Sequence, residues 1–564
     1  MTSETRPNHI TKDWRGWALR AAFAAAAVLL AWAYLVALRA PAVGTFHDDG
    51  IYAVTARALA EGRGYRILSL PDAPPQTKYP ILFPWLLSLI WRLAPGFPEN
   101  LPWLRAVPLL STVAWLWLSW RLVQQCGGSR RTATTIVLVT ALSPWTLFLA
   151  TALLSETLFA ALLTAALLVL TATPASIGES RRLCALAGLL SAASLLTRAA
   201  GVAVVAAGLG WLLSRRRWSD AAVFAIVAGV VVAPWGWWVA MQNQVVGESY
   251  YSATPYGTWN IVSSYSWPEK VQVLLGNVVF SAAAPATLWG IGLNAIVIGV
   301  CLATVVPAVI RGLWLTRANP LGWCVAVVIA MNVMWVWPPQ RFIVPIVPLV
   351  LWQVSVALRG APQVVVVALV ASLGVCGAWR TVEVVRKAQW AGAVAPWAAS
   401  AEDWRQLVPL LDWVKRETPA TAVVAGNLDP VYFLFTGRAS IRAFTADSYA
   451  LFYAPPGQDR APLGTVEAFR HRLLQSGVDY CIWSPDPGFS ETPHYRRLLD
   501  DLREAYRGSV RIVAGEEASG YVVYAIDRAR LAPGQDHSSG ARPGPEERSL
   551  AHQEEHIARD DRRW

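Results

Sequence analysis

Two adjacent carboxylates, Asp48 and Asp49, have residue types and positions suited to chemistry. They lie in the segment FHDDGIYAVTARALAEGRGY, just after the first strongly apolar stretch of the chain. A carboxylate near a lipid surface can act as general base, taking the proton of an acceptor hydroxyl beside a developing leaving group. A simpler interpretation is that one Asp caps the following helix and that both are solvated. The spacing leaves both interpretations open.

Lys78 and Glu156 are the next candidates, because each lies beside an apolar stretch. Lys78, in TKYPILFPW, can pair with a lipid phosphate, or it can simply extend its ammonium group to the headgroups. Glu156, in LLSETLF, follows Ser155 at the start of an apolar helix. Ser155 can cap that helix and Glu156 can favour its positive end, which is a sufficient structural reason for both. An acid at this depth is also a functional candidate.

Two arginines lie where the distribution of positive charge in membrane proteins does not explain them. Arg198, in LLTRAAG, interrupts an apolar stretch, and Arg341 lies in PPQRFIVPIVP. Both fall on the predicted non-cytoplasmic side, whereas Arg and Lys concentrate in cytoplasmic loops. A phosphate or pyrophosphate partner explains them, because the guanidinium group binds such oxygens in a bidentate manner.

His47 precedes the acid pair, but no second His lies nearby, so we predict no metal site and no cofactor. The sequence has neither a Walker A motif nor a Rossmann glycine fingerprint, so no ATP or nucleotide-sugar site is predicted. The six cysteines form no CxxC pair, which gives no sign of a zinc site or a disulfide framework.

These residues must be positioned by membrane helices, as the composition indicates. Of the 564 residues, 55% are hydrophobic and only 15% are charged, whereas soluble proteins have about 25% charged residues. The apolar residues form blocks of about 20, the length that crosses a bilayer. The net charge of +11 comes largely from arginines that flank these blocks. Membrane topology therefore explains that charge better than nucleic-acid binding.

The positive flanks predict about eleven transmembrane helices in residues 17–380, after a cytoplasmic N-terminus over residues 1–16. A non-cytoplasmic loop, 41–100, contains the acid pair and an interfacial helix over 80–94. The predicted spans are 17–39, 101–123, 132–150, 155–173, 184–197, 200–213, 220–240, 288–310, 321–337, 342–358 and 361–379.

Residues 400–530 predict a small extracytoplasmic α/β domain, because short strands alternate there with helices. The stretch 402–416 carries apolar residues on one helical face. Asp429 and Pro430 are predicted to be the N-cap and first residue of a later helix. Residues 531–564 are charged and rich in Gly, Pro and Ser, which predicts disorder.

The motifs together resemble those of the GT-C glycosyltransferases, specifically the group of protein O-mannosyltransferases and bacterial lipid A aminoarabinose transferases. The resemblance covers roughly residues 17–358. It rests on DDGIYAVTARALAEG, KYPILFPWLLSL, LLSETLFAALL, LLTRAAG and RFIVPIVPLV, and on the order and spacing of these segments.

The resemblance implies a non-cytoplasmic active site and a polyprenyl-phosphate-linked sugar donor. Asp48 matches the catalytic carboxylate, Asp49 its acidic neighbour, and Glu156 an acid at a later helix end. Lys78 matches a phosphate-contacting Lys, although Tyr79 replaces the first Pro of the usual pair. Arg198 falls where the family often has a basic residue.

We therefore expect a metal-independent glycosyltransferase of a bacterial inner membrane, inverting, with an Asp as general base. Asp48, Asp49 and Glu156 are the catalytic candidates. Lys78, Arg198 and Arg341 are the donor-phosphate candidates. The alternatives are a lipid or glycan transporter, which predicts charges near the midplane and repeated halves, a glycan ligase, and a non-catalytic envelope-assembly subunit. The sugar and the acceptor are not identified.

Overall fold

The computed structural model describes residues 10–172, 177–243, 251, 262–396, 403–442, 444–455, 461–485 and 490–532. Up to residue 391 the described elements are helical. The α-helices are α1 (Ile10–Leu38), α2 (Asp48–Ala60), α3 (Leu82–Leu93), α4 (Leu101–Gln125), α5 (Arg130–Ala141), α6 (Pro144–Thr151), α7 (Glu156–Thr171), α8 (Ile177–Thr197), α9 (Val202–Ser214), α10 (Trp218–Gln242), α11 (Trp267–Ala282), α12 (Ala284–Leu288), α13 (Ala295–Thr316), α14 (Pro320–Val333), α15 (Gln340–Ile343), α16 (Val347–Ala357) and α17 (Gln363–Ala391). Short 3₁₀ turns, Ala199–Gly201 and Val344–Ile346, precede α9 and α16.

Five segments of the described chain are long and apolar enough to cross a membrane: α4, α10, α13, the run Gln340–Ala357, and α17. The pair α5 and α6 makes a sixth if it is counted as one bent span. Five shorter helices are also apolar. A polytopic helical architecture is therefore observed, and the number of about eleven spans stays a prediction.

The single helix predicted over 132–150 is wrong. The chain breaks between α5 and α6, whose axes differ by 69°. Pro144 has no backbone N–H to donate and disfavours helical geometry in the residue before it. Ser143 is accordingly extended, with ψ 129°. The break directs α6 into the protein interior, and all eight residues of α6 are buried there.

Other predicted boundaries also shift. The helix predicted over 288–310 begins at Ala295, because residues 289–294 form a loop after the short helix α12. Helix α8 begins at Ile177, so Arg181 and Arg182 lie within it rather than in a loop. Helix α1 begins at Ile10, inside the segment expected to be a cytoplasmic N-terminus.

The C-terminal region folds around a five-stranded mixed sheet. Its elements are α18 (Trp404–Glu417), β1 (Val423–Ala425), α19 (Asp429–Thr436), β2 (Ala439–Ile441), α20 (Ser448–Phe452), α21 (Val466–Gln475), β3 (Tyr480–Trp483), α22 (Thr492–Ala505), β4 (Val510–Glu516), β5 (Tyr521–Ile526) and α23 (Arg528–Leu531). The strand order is β2-β1-β3-β5-β4, with β1 parallel to β2 and β3, and β5 antiparallel to β3 and β4. The apolar face predicted for 402–416 is buried in α18. The tail predicted to be disordered lies outside the described residues from 533 onward.

Helix α19 packs on the loop that carries the acid pair. A Cβ at Gly44 would lie 2.1 Å from Val431, and a Cβ at Gly50 would lie 2.9 Å from Pro430. Gly44 also has a φ of +89°, which glycine adopts without steric cost. The two glycines therefore allow the C-terminal region to approach the backbone on both sides of Asp48.

Candidate functional site

The Asp48 carboxylate lies at the first residue of α2 and binds two side chains from distant parts of the sequence. Its Oδ2 accepts a hydrogen bond from Arg341 at 2.7 Å. Its Oδ1 accepts one from the hydroxyl of Tyr79. The side chain is 21% exposed, so the interpretation in which it caps a helix in free solvent does not describe it.

Arg341 joins Asp48 to a second carboxylate. Its Nε donates to Oε1 of Glu156, which is 1% exposed. Arg198 approaches the same oxygen from the turn after α8, with Nη1 at 2.9 Å. The guanidinium of Arg341 also lies 4.7 Å from the ring centre of Phe46. Arg341 thus bridges the two carboxylates and Arg198 binds the second of them. The four side chains form what we call the charged cluster: Asp48, Glu156, Arg198 and Arg341.

Ser155 contributes to this cluster rather than capping α7 as the sequence suggested. Its hydroxyl lies 2.9 Å from the hydroxyl of Tyr52 and 3.1 Å from Nη1 of Arg198. Because Tyr52 is fully buried on α2, this contact fixes the start of α7 against α2. It thereby fixes the separation of Glu156 from Asp48.

The charges around Asp48 decide its protonation. Burial opposes ionisation, and the positive charges of Arg341 and Lys78 favour it. With the hydrogen bond from Tyr79 and the smaller effect of Arg198, they lower the pKa of Asp48 to about 2. Asp48 is therefore a carboxylate at every physiological pH.

Lys78 lies in the loop between α2 and α3, half-buried, with its ammonium 5.3 Å from the ring centre of Tyr79. Burial lowers the pKa of Lys78 to about 8, although the negative charge of Asp48 opposes the shift. Asp429 of the C-terminal region opposes it as well. A lysine that simply extends into solvent would not be desolvated in this way.

Asp49 has different surroundings from its neighbour. Its Oδ2 accepts the backbone N–H groups of Gly44 at 2.8 Å and Thr45 at 3.2 Å, and its Oδ1 accepts those of Phe46 at 3.3 Å and Gly50 at 3.1 Å. Burial raises the pKa of Asp49 despite these hydrogen bonds. The geometry favours a structural role, in which Asp49 ties the loop before α2 into a closed turn.

Arg105, on α4, holds the beginning of the same loop. It donates to the carbonyl oxygens of Leu38 at 2.9 Å and Ala42 at 2.5 Å, and also to that of Ala40. The Ala42 N–H donates in turn to the carbonyl of Gly392, 3.1 Å away. The chain between α1 and α2 is therefore fixed before it reaches Asp48.

His47 and Asp429 join this loop to the C-terminal region. Nε2 of His47 lies 2.5 Å from Oδ1 of Asp429, and both side chains are buried. Oδ2 of Asp429 accepts a hydrogen bond of 2.9 Å from the Tyr251 hydroxyl. The prediction that Asp429 is a helix N-cap is wrong, since the cap position is Leu428 and the Asp429 carboxylate binds these two side chains.

The structure brings together four predicted residues, Asp48, Glu156, Arg198 and Arg341, and places Lys78 within electrostatic reach of Asp48. The positive-inside argument had placed them all on one side of the membrane. The sequence did not predict the contacts that surround them, which involve Tyr79, Tyr52, Ser155, Arg105, His47 and Asp429. Only Tyr79 among these gave a signal in the sequence, because it stands where the family has Pro.

Within the described ranges, no group of three or more His, Cys, Asp and Glu side chains could hold a metal ion. The expectation that no metal is needed stays a prediction. His47, the residue that prompted the question of a metal, is used in the contact with Asp429.

Comparisons with known proteins identify the fold. No protein-family model and no curated protein matches the chain. Among solved structures, ArnT from Cupriavidus metallidurans in the apo state is similar, with 16% identity, a TM-score of 0.54, and coverage of 93% of this chain and 100% of that one. The oligosaccharyltransferase AglB from Archaeoglobus fulgidus is similar at 13% identity and a TM-score of 0.52, over 89% of this chain and 74% of that one. The chain is a polytopic helical membrane protein with the GT-C fold of these glycosyltransferases.

Proposed function

We propose that this protein is a glycosyltransferase that moves a sugar from a polyprenyl-phosphate donor to an acceptor hydroxyl. The observation that carries the proposal is the charged cluster, in which Asp48 is held by Arg341 beside Lys78. The fold supports it, because ArnT of the same fold has been solved with undecaprenyl phosphate bound and AglB with dolichol-phosphate.

The cations of the site suit a lipid phosphate. Arg341 and Arg198 balance the charges of Asp48 and Glu156, and Lys78 adds a third cation beside them. A phosphate can take the place of a carboxylate on a guanidinium, because both present paired oxygens to the same donors. As the bond from the anomeric carbon to the phosphate breaks, these cations stabilise the charge that develops on the departing phosphate.

Asp48 is the base in this proposal. In the free protein its low pKa makes it a weak base, because Arg341 and Lys78 stabilise its charge. A donor phosphate that binds these cations withdraws their charge from Asp48, so donor binding raises the pKa of Asp48. Asp48 then takes the acceptor proton as the acceptor oxygen bonds to the anomeric carbon, on the face opposite the leaving phosphate, with inversion.

Glu156 and Asp49 have lesser roles in this chemistry. Glu156 holds both arginines through Oε1, and its Oε2 is buried without a hydrogen-bond partner among the described residues. Asp49, which the sequence placed among the catalytic acids, supports the turn before α2.

The site faces the non-cytoplasmic side of a bacterial inner membrane in this proposal. Along the chain, segments with arginines predicted to be cytoplasmic alternate with segments that carry residues of the charged cluster. This alternation supports the orientation, because Arg and Lys concentrate in cytoplasmic loops. A polyprenyl-phosphate donor is already anchored in the membrane, so the reaction needs no soluble nucleotide there. Residues 17–380 form the transmembrane unit and residues 400–530 an extracytoplasmic domain.

The direct test is turnover of a panel of labelled polyprenyl-phosphate sugars by the purified protein in nanodiscs, with a range of acceptors. The wild type is expected to release polyprenyl phosphate, and the folded Asp48→Asn variant is not. Equal release by both would remove Asp48 from the mechanism. No release with any donor, from a folded protein, would reject the proposal and favour a transporter or an assembly subunit.

A further inference from the structure

His47, the residue immediately before Asp48, has a backbone conformation that needs support. Its φ is +43°, in the left-handed region that residues other than glycine seldom occupy. Such a conformation is strained and persists where the surroundings over-determine it. The conformation of His47 sets the direction in which the chain enters α2, and therefore the direction of the Asp48 side chain.

The support comes from the C-terminal region. Asp429, in the first turn of α19, is fully buried and places Oδ1 2.5 Å from Nε2 of His47. Tyr251 holds the other carboxylate oxygen at 2.9 Å. Removing one partner of a buried hydrogen-bonded pair leaves a desolvated polar group, so this contact resists opening.

A second, independent observation is the fit of α19 against the loop. Val431 and Pro430 fill the space that side chains at Gly44 and Gly50 would need. The loop is therefore shaped to receive this helix on both sides of His47. A region that docked only loosely would not require two glycines at its contact points.

We propose that Asp429 and His47 are positioning residues for Asp48, so that the C-terminal α/β region completes the active site. This inference rests on the proposed function, since it assigns the pair a role in the same transfer. Neither residue touches the donor in this account. Asp429 holds His47, and His47 holds the carboxylate of Asp48 toward Arg341.

The experiment compares sugar transfer by the full-length wild type with that of His47→Ala, Asp429→Ala and the double variant. Each single variant is expected to lower kcat about 10- to 100-fold, as a misplaced catalytic group does, with KM for the donor within about threefold. The double variant is expected to be no worse than the worse single variant, because the two residues act as one unit. Asp429→Asn, which keeps an acceptor for His47, is expected to retain most of the activity.

Two controls separate positioning from general docking. Asp447 of the C-terminal region also accepts a hydrogen bond from Tyr265, which lies just before α11. Asp447→Ala therefore tests the loss of a contact between the two regions at another place. It is expected to keep kcat. Asp429 also favours the charge on Lys78. His47→Ala removes the contact between His47 and Asp429 but leaves the Asp429 carboxylate in place, so it separates the two effects.

Hydrogen–deuterium exchange gives a readout that does not need turnover. In Asp429→Ala, amides of residues 44–50 are expected to exchange faster while those of α7 are unchanged. Wild-type kcat in both single variants, multiplicative losses in the double variant, or an equal loss in Asp447→Ala would overturn the inference. If the wild type transfers no sugar, the proposed function fails. Unchanged exchange of residues 44–50 in Asp429→Ala would then separately overturn the role of the contact between His47 and Asp429.

Discussion

Asp48 and Asp49 are neighbours in the chain, yet the regions around them differ in kind. Asp48 faces side-chain cations from other parts of the chain, which lower its pKa to about 2. Asp49 faces backbone N–H groups of its own loop, and burial raises its pKa. Backbone amides cannot leave without unfolding the loop, whereas an arginine can exchange a carboxylate for a phosphate. This difference supports the proposal that Asp48, rather than Asp49, takes part in the chemistry.

The largest effect expected from this comparison is on Asp48→Asn. The variant removes the base and keeps the shape, so kcat for sugar transfer is expected to fall about 10²- to 10⁴-fold. The melting temperature is also expected to fall, because the neutral amide loses the ion pair with Arg341, although it can still accept from Tyr79. Release of labelled polyprenyl phosphate measures the first quantity and a thermal-shift assay the second. A stable variant with wild-type kcat would remove the distinction between the two acids.

Arg341→Lys is expected to have the next largest effect. Arg341 contacts Glu156 through Nε and Asp48 through Nη2 at the same time, a geometry that an ammonium group does not reproduce. We expect kcat/KM for the donor to fall about 100-fold. Arg198→Lys is the matched control, because Arg198 contacts only one carboxylate of the cluster, Glu156. Equal losses in the two variants would contradict the bridging role of Arg341.

The pH dependence of donor binding tests Lys78. Its pKa of about 8 means that the free protein carries the charge below that pH and loses it above. The KM for the donor is therefore expected to rise about tenfold between pH 7 and pH 9. Lys78→Arg, which stays charged, is expected to flatten this rise, whereas Lys415→Arg in the C-terminal region is not. A rise that persists in Lys78→Arg would assign it to another group.

Asp49→Asn is expected to have the smallest effect on catalysis. The amide keeps one acceptor oxygen and places an NH2 group against two of the four backbone N–H groups, so the free energy of unfolding is expected to fall by about 1–3 kcal/mol. The kcat of the folded protein is expected to stay within about tenfold of the wild type. Thermal-shift and turnover measurements on one preparation check both values. A loss of kcat as large as that of Asp48→Asn, without destabilisation, would make Asp49 catalytic.

Local patterns predicted much of the fold. The apolar face predicted for 402–416 and the helix predicted to begin around Pro430 are both present. Each depends on neighbours within a few positions, which a single sequence shows. The break at Pro144 was missed, although the preference against helix before a proline is equally local.

The site was predictable residue by residue but not as a network. Charge at predicted helix ends drew attention to Glu156, Arg198 and Arg341. Their pairing was not visible, because Arg341 and Asp48 are 293 positions apart and no periodicity connects them. The same limit hid the partner of His47, which lies 382 positions away at Asp429. Tertiary packing decides such pairs, whereas the sequence shows only the type of each residue and its neighbours along the chain.

The most direct test of the central claim is a structure of the protein in nanodiscs with undecaprenyl phosphate bound. The phosphate is expected to lie about 3 Å from the guanidinium of Arg341, within reach of Lys78, and Arg341 is expected no longer to donate to Asp48. A phosphate bound elsewhere, with the contact between Arg341 and Asp48 intact, would contradict the account.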